Sequence, residues 1–192
     1  MLISGDFIDK PGENQTQEID KVIELVSPLP KAGIPTYAVL GNHDYRLAMG
    51  GKNQQLAAQL HQGLEAAGVQ VLKNEAVSLT LPDQQRSPAK TEENLYLVGI
   101  GPHLPNEDKP IVAISQVPEK APRLVMMHNP DSFAALLPQT APLAVAGHTH
   151  GGQIRLLFTP EWSWLALTSK DEVTVDGWIS GKSALCKSWY WF

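Results

Sequence analysis

The sequence predicts an α/β domain, and three observations carry that expectation. Apolar, β-type runs alternate with segments of helical spacing, four of those runs end in metal-capable side chains, and the composition is globular. A length of 192 residues suits one domain, and 43% hydrophobic against 18% charged residues is enough to build a core and argues against disorder. A formal net charge of −5 with no Lys/Arg cluster excludes a nucleic-acid footprint. The single cysteine, Cys186, excludes an internal disulfide. Neither a membrane-spanning run nor a leader pattern is visible, so the chain as written is expected to be soluble and cytoplasmic.

In chain order, Met1-Leu2-Ile3-Ser4 reads as a buried strand running into Gly5-Asp6-Phe7-Ile8-Asp9. Ile19, Val22, Ile23 and Val26 keep the i, i+3, i+4, i+7 spacing of a helix, and Pro28 and Pro30 are expected to stop it. Thr36 to Leu40 is a β-rich run ending in Gly41-Asn42-His43-Asp44. A second helix follows through Leu56, Leu60, Leu64 and Ala67, capped by Gly68, with His61 beside the stripe and facing solvent. Val69 to Leu72 and Ala76 to Leu81 read as strands, Pro82 to Asn94 as a surface connection, and Leu95 to Gly101 as a further buried strand. His103 has no supporting spacing and reads as a loop histidine. A short helix over Pro110 to Gln116, a strand over Arg123 to Met127 ending in His128-Asn129-Pro130, and a short helix around Phe133 to Leu137 precede Leu143 to Ala146. That last run opens into Gly147-His148-Thr149-His150-Gly151-Gly152-Gln153.

On an extended backbone residues i and i+2 point the same way, so His148 and His150 are expected to converge on one point or on two adjacent points. Taken alone, a His-x-His reads equally well as ordinary polar residues at a loop mouth. Four strand ends that deliver Asp6, Asn42-His43, His128 and His148-Thr149-His150 are a different matter, because ligands of α/β folds bind at the carboxyl ends of strands. Aspartate, asparagine and histidine without thiolate suit a borderline divalent ion such as Mn, Zn or Fe. Such an ion lowers the pKa of bound water, and a pair about 3.5–4 Å apart clamps a phosphoryl group.

Gly5-Asp6-x-x-Asp9, Gly41-Asn42-His43-Asp44, Met127-His128 and Gly147-His148-Thr149-His150 together resemble the calcineurin-like metallophosphoesterase superfamily. The longer Gly147 to Gln153 run is similar to its bacterial phosphodiesterase branch, whose members often carry a membrane anchor or export signal. The resemblance implies a four-layer α/β/β/α sandwich of two mixed sheets, two divalent metal ions, and a phosphoester substrate, a diester or a lipid-linked phosphate. It also implies Asp6 as bridging carboxylate, Asn42, His128 and His148 completing one metal site, and His150 in the other. His43 is implied as general acid, oriented by Asp9, with Asp44 supporting it; both aspartates otherwise read as solvated loop carboxylates.

Two departures from that pattern stand out. The family opens on a strand bearing Asp-x-His, and Met1 falls where the second strand begins, so the domain over residues 1–183 is expected to lack its first β-α unit. From Ser183 the chain turns aromatic-rich, and a one-nucleotide shift of a back-translation spells a family-like strand and loop; residues 184–192 are therefore expected to be an aberrant, frameshifted tail, against a genuine aromatic tail packing on the core. The leading function is metal-dependent hydrolysis of a phosphoester. Its rivals are a catalytically impaired fragment binding at most one divalent ion through Asp6, Asn42, His128 and His148, and a metal-free interaction module.

Overall fold

Along each central strand, successive side chains serve different layers, and this alternation sets the architecture. The computed structural model of the chain describes residues 1–9, 14–46, 53–79 and 94–150, with short strands at 178–179, 182–183 and 185–186. A three-stranded sheet has the order β1 (Leu2–Ile3), β2 (Tyr37–Ala38), β3 (Gln70–Val71). The second sheet runs β10 (Leu185–Cys186), β7 (Leu143–Ala146), β6 (Arg123–Met126), β5 (Leu95–Gly99), β4 (Glu75–Leu79). The smaller sheet, expected to be mixed, is parallel in all its described pairs, because helical crossovers join its strands. The larger is mixed, with only β4 antiparallel to its neighbour.

Ala38 and Val71 face helices α1 (Gln15–Val26) and α3 (Gln54–Ala66), packing with Ile19, Leu56, Leu60 and Leu64. On the opposite face Val39 and Leu72 meet Leu97 and Met126 of the five-stranded sheet, so the two sheets share a core. Tyr96, Val98, Val125 and Ala144 point outward to a third core under α4 (Pro110–Ile114) and a 3-10 turn at Pro130–Ala135. The layers are therefore helix, sheet, sheet, helix. A side chain on Gly63 would crowd Ile19 and Ile23 at 3.2–3.4 Å, which lets α1 and α3 pack closely.

Asn14 and Asn53 cap α1 and α3, their side chains accepting from the amides of Gln17 and Leu56. Gly68 closes α3 at φ +89°, as its position after the apolar stripe predicts. α1 ends at Val26, directly before Pro28, as the prolines led one to expect, but a second short helix follows. Pro28 begins a four-residue helix, α2 (Pro28–Lys31), where a missing N–H costs nothing, and the chain turns away at Gly33, φ +74°.

The segment expected around Phe133 to Leu137 forms the earlier 3-10 turn, with Leu136 already extended. Residues 80–93, which include most of the expected surface connection, lie outside the described residues. In the segment read as an aberrant tail, Leu185 and Cys186 pair parallel with Val145 and Ala146, while 187–192 lie outside the described residues. An antiparallel pair, β8 (Trp178–Ile179) and β9 (Lys182–Ser183), precedes it. Among the described residues no helix is long and apolar enough to cross a membrane.

Candidate metal centre

All the parallel strands of both sheets end on one rim, and the loops that leave it are held by close backbone approaches. Gly5 and Asp6 both take left-handed conformations, φ +91° and +56°, and a Cβ on Gly5 would lie 2.5 Å from the Gly41 nitrogen. A Cβ on Gly41 would overlap Asp6 Oδ1 and come within 2.7 Å of His128 Cε1. Gly147 likewise leaves room for Ser4, whose Oγ would be 2.6 Å from an added Cβ. These three glycines bring the ends of β1, β2 and β7 onto the end of β6.

Asp6 Oδ1 accepts from the His43 amide at 3.0 Å, and Oδ2 lies 3.2 Å from His128 Nε2. Asn42 Oδ1 is 2.9 Å from the same Nε2, and His148 Nδ1 is 3.2 Å from it. His128 Nδ1 donates to the Ser4 carbonyl at 2.6 Å, which fixes the tautomer and turns Nε2 toward the other three. The ligand atoms of Asp6, His128 and His148 all lie within 4.8 Å of one another.

Electrostatics follow from the same contacts. Burial opposes charge on both members of the Asp6–His128 pair, yet their hydrogen bond and attraction win. Asp6 is held below the usual carboxylate range and His128 above the usual histidine value. Burial and the neighbouring His128 charge push His148 down to about 4. Without an ion these contacts favour a carboxylate at Asp6 and a proton on His128, and disfavour a charge on His148. The single proton on Nε2 cannot satisfy Asp6, Asn42 and His148 at once; one divalent cation can, so this donor set fits a metal.

Asp44 is buried and is not the solvated loop carboxylate considered as its alternative. It accepts from the amides of Gly41 at 2.8 Å and of Asp6 and Ile8 at 3.1 Å each, tying the Gly5–Ile8 loop to the turn after β2. Burial, reinforced by the Asp6 charge and opposed by those amides, pushes it up to about 7. His43 Nδ1 donates to the main-chain carbonyl of Asp9 at 2.7 Å, and the carboxylate stands off at 3.4 Å with its side chain 76% exposed. Asp9 therefore orients His43 chiefly through its backbone.

Of the two arrangements expected of His148 and His150, one shared point or two adjacent points, the shared point does not form, since His150 is not in the Asp6–His128–His148 group. The chain leaves β7 in left-handed conformations at His148 (φ +68°) and His150 (φ +48°), so strand alternation no longer applies; His150 stands exposed, outside the cluster. Gly151 to Gln153 lie outside the described residues. His61 is partly buried, 3.9 Å from Glu65.

Three partners escaped the sequence reading. The Ser4 carbonyl, being main chain, leaves no signal. Fully buried Asn129 accepts from the His103 amide at 3.1 Å; its position next to His128 was a usable cue. His103 itself is bound to Asp108, five residues on, at 2.9 Å.

A model of the calcineurin-like phosphoesterase family matches residues 1–152. The phosphodiesterase YaeI of Escherichia coli (strain K12) is 35% identical over 156 residues, which cover 81% of this chain and 50% of that protein. Two uncharacterized metallophosphoesterases of Bacillus subtilis (strain 168) are also similar: YkuE at 27% over 158 residues, 82% of this chain and 49% of YkuE, and YkoQ at 28% over 156, 80% and 50%. The chain spans about half the length of these relatives.

Proposed function

Since this chain belongs to the calcineurin-like phosphoesterase family, we propose that it is a metal-dependent phosphoester hydrolase whose ion is held by Asp6, Asn42, His128 and His148. The observation that carries the reading is the convergence of Asp6, Asn42 and His148 on the one nitrogen, His128 Nε2. An ion bound there supplies Lewis acidity, making water a nucleophile near neutral pH and offsetting charge on a phosphoryl oxygen. Nitrogen and oxygen donors without thiolate suit Mn, Zn or Fe. A second ion would use the remaining lone pairs of Asp6 together with His150.

The protein groups divide the remaining work. Asp6 and Asn42 supply oxygen donors from one sheet, and His128 and His148 supply nitrogen from the other. With Nδ1–H committed to the Asp9 carbonyl, His43 is left Nε2 to carry a proton to the leaving-group oxygen. Asp44 keeps the two loops in register. YaeI's name as a phosphodiesterase favours a diester; a lipid-linked phosphate is the other candidate.

A second reading, one ion and no turnover, is favoured by a specific observation: the described residues form one such donor group, and His150 is not in it. The readings separate by Mn²⁺ stoichiometry and turnover of a generic aryl phosphodiester. Two ions per chain and hydrolysis reduced about 100-fold or more by His43→Ala are expected of the enzyme. One ion without hydrolysis supports the second reading, and no ion at all overturns both.

A further inference from the structure

We infer that His103 is a substrate-binding residue whose outward ring nitrogen meets a phosphoryl oxygen of the ester at the Asp6–His128 site; this rests on the phosphoesterase reading above. Placement is the first argument. β5 and β6 are parallel, with Gly99 opposite Met126, so the chain leaving β5 rises on the rim where His128 leaves β6. The His103 amide is tethered to the side chain of Asn129, the residue after His128.

Orientation is the second. Nδ1 lies 2.9 Å from Asp108 Oδ2, and the same oxygen accepts the buried Ser132 hydroxyl at 2.8 Å. The Asp108 side chain is 13% exposed and that of His103 43%, so the inner nitrogen is anchored and the ring faces out. Its Nε2 has no hydrogen-bond partner among the described residues. Such a nitrogen donates to a phosphoryl oxygen when the ring is protonated and accepts the proton of a P–OH group when it is neutral.

The third argument is stiffness. Asn74 accepts the amides of Gly101 at 3.1 Å and Lys109 at 2.7 Å on one oxygen, and donates to the Glu107 carbonyl at 2.7 Å. Both ends of the loop are thus held by one side chain, and within it the Asn106 amide bonds the His103 carbonyl at 2.6 Å. An exposed imidazole presented from a loop fastened in this way is pre-organised for a ligand. Asp108 and Ser132 are positioning residues for it.

A mere loop staple would use only Nδ1, and the two roles respond oppositely to two substitutions. His103→Asn keeps a polar group at the Nδ1 position and removes Nε2; His103→Gln places a polar group near Nε2 and gives up the bond to Asp108. The probe is inorganic phosphate titrated into the full chain with and without Zn²⁺, following affinity and the His103 ring-nitrogen resonance. Expected are a shift of that resonance in the unsubstituted chain, about tenfold weaker phosphate binding in His103→Asn, and a His103→Gln chain within about threefold of normal. The inference is overturned if the resonance stays still, or if His103→Asn binds normally. Absence of Zn²⁺ binding would sink the metal-site reading, whereas Zn²⁺ binding with His103 unresponsive to phosphate sinks this inference alone.

Discussion

Two adjacent imidazoles in this site are shifted in opposite directions by the groups that surround them. His128, in contact with Asp6, holds its proton above the ordinary histidine value, whereas burial and the His128 charge hold His148 neutral down to about 4. The linkage signs differ accordingly. The His128 contribution to stability is fully present below about pH 6.5 and fades as pH rises through its raised value, whereas that of His148 is lost as pH falls from about 6.5 toward 4. At about pH 6 the ion-free chain should therefore show an imidazolium at His128 and a neutral ring at His148 in nitrogen-detected NMR. Zn²⁺ should strip the proton from His128 Nε2 alone, so affinity for the ion rises with pH until His128 is neutral. A charged His148 at that pH, or a His128 already neutral, would contradict the arrangement.

At the scale of the elements, the site depends on loops that approach closer than any side chain would permit. Gly41→Ala should leave the chain folded by circular dichroism and weaken ion binding by about 100-fold or more, because the new methyl takes the space of Asp6 Oδ1 and His128 Cε1. Gly33 is the control. Its φ of +74° makes Gly33→Ala cost about 1–2 kcal/mol, yet nothing lies within 4 Å of the added carbon, so ion affinity should be unchanged. Equal effects of the two changes on the ion would show that the site responds to stability and not to space.

This dependence on backbone also explains what the sequence could show. Asp6, Asn42, His128 and His148 were legible because each ends an apolar run, and strand ends in such folds meet. His150 was assigned to the other site by the family resemblance, and the left-handed exit from β7 breaks the two-residue period that would have set it on the same point as His148. Asp9 was named for its carboxylate and acts chiefly through its carbonyl, a distinction no residue type encodes. Pro28 marked the end of α1 correctly, but the same letter also suits the first position of a new turn, so the short helix that follows was not legible.

Across the whole molecule, the candidate centre draws ligands from two sheets that also meet through a shared core. Asp6 and Asn42 leave the three-stranded sheet, His128 and His148 the five-stranded one, and the fully buried contacts between them are Val39, Leu72, Leu97 and Met126. An ion held by all four ligands should stabilise the folded chain by about 2.7 kcal/mol at 100 times its dissociation constant, read as a rise in thermal midpoint. The route of that coupling can be tested by placing cavities. Leu97→Ala and Leu60→Ala should each cost about 2–5 kcal/mol, since both side chains are fully buried. Only Leu97 lies between the sheets; Leu60 packs behind the smaller one, against the helices. Loss of Leu97 lets the sheets shift against each other, so Asp6 and Asn42 no longer meet His128 and His148 at fixed distance, and ion affinity should fall roughly tenfold. Loss of Leu60 disturbs a layer that carries both oxygen donors together and should leave affinity within about threefold. Calorimetric titration of the two variants, at a temperature where both remain folded, decides the matter: equal affinities would mean that the sheets are held in register by something other than their shared core.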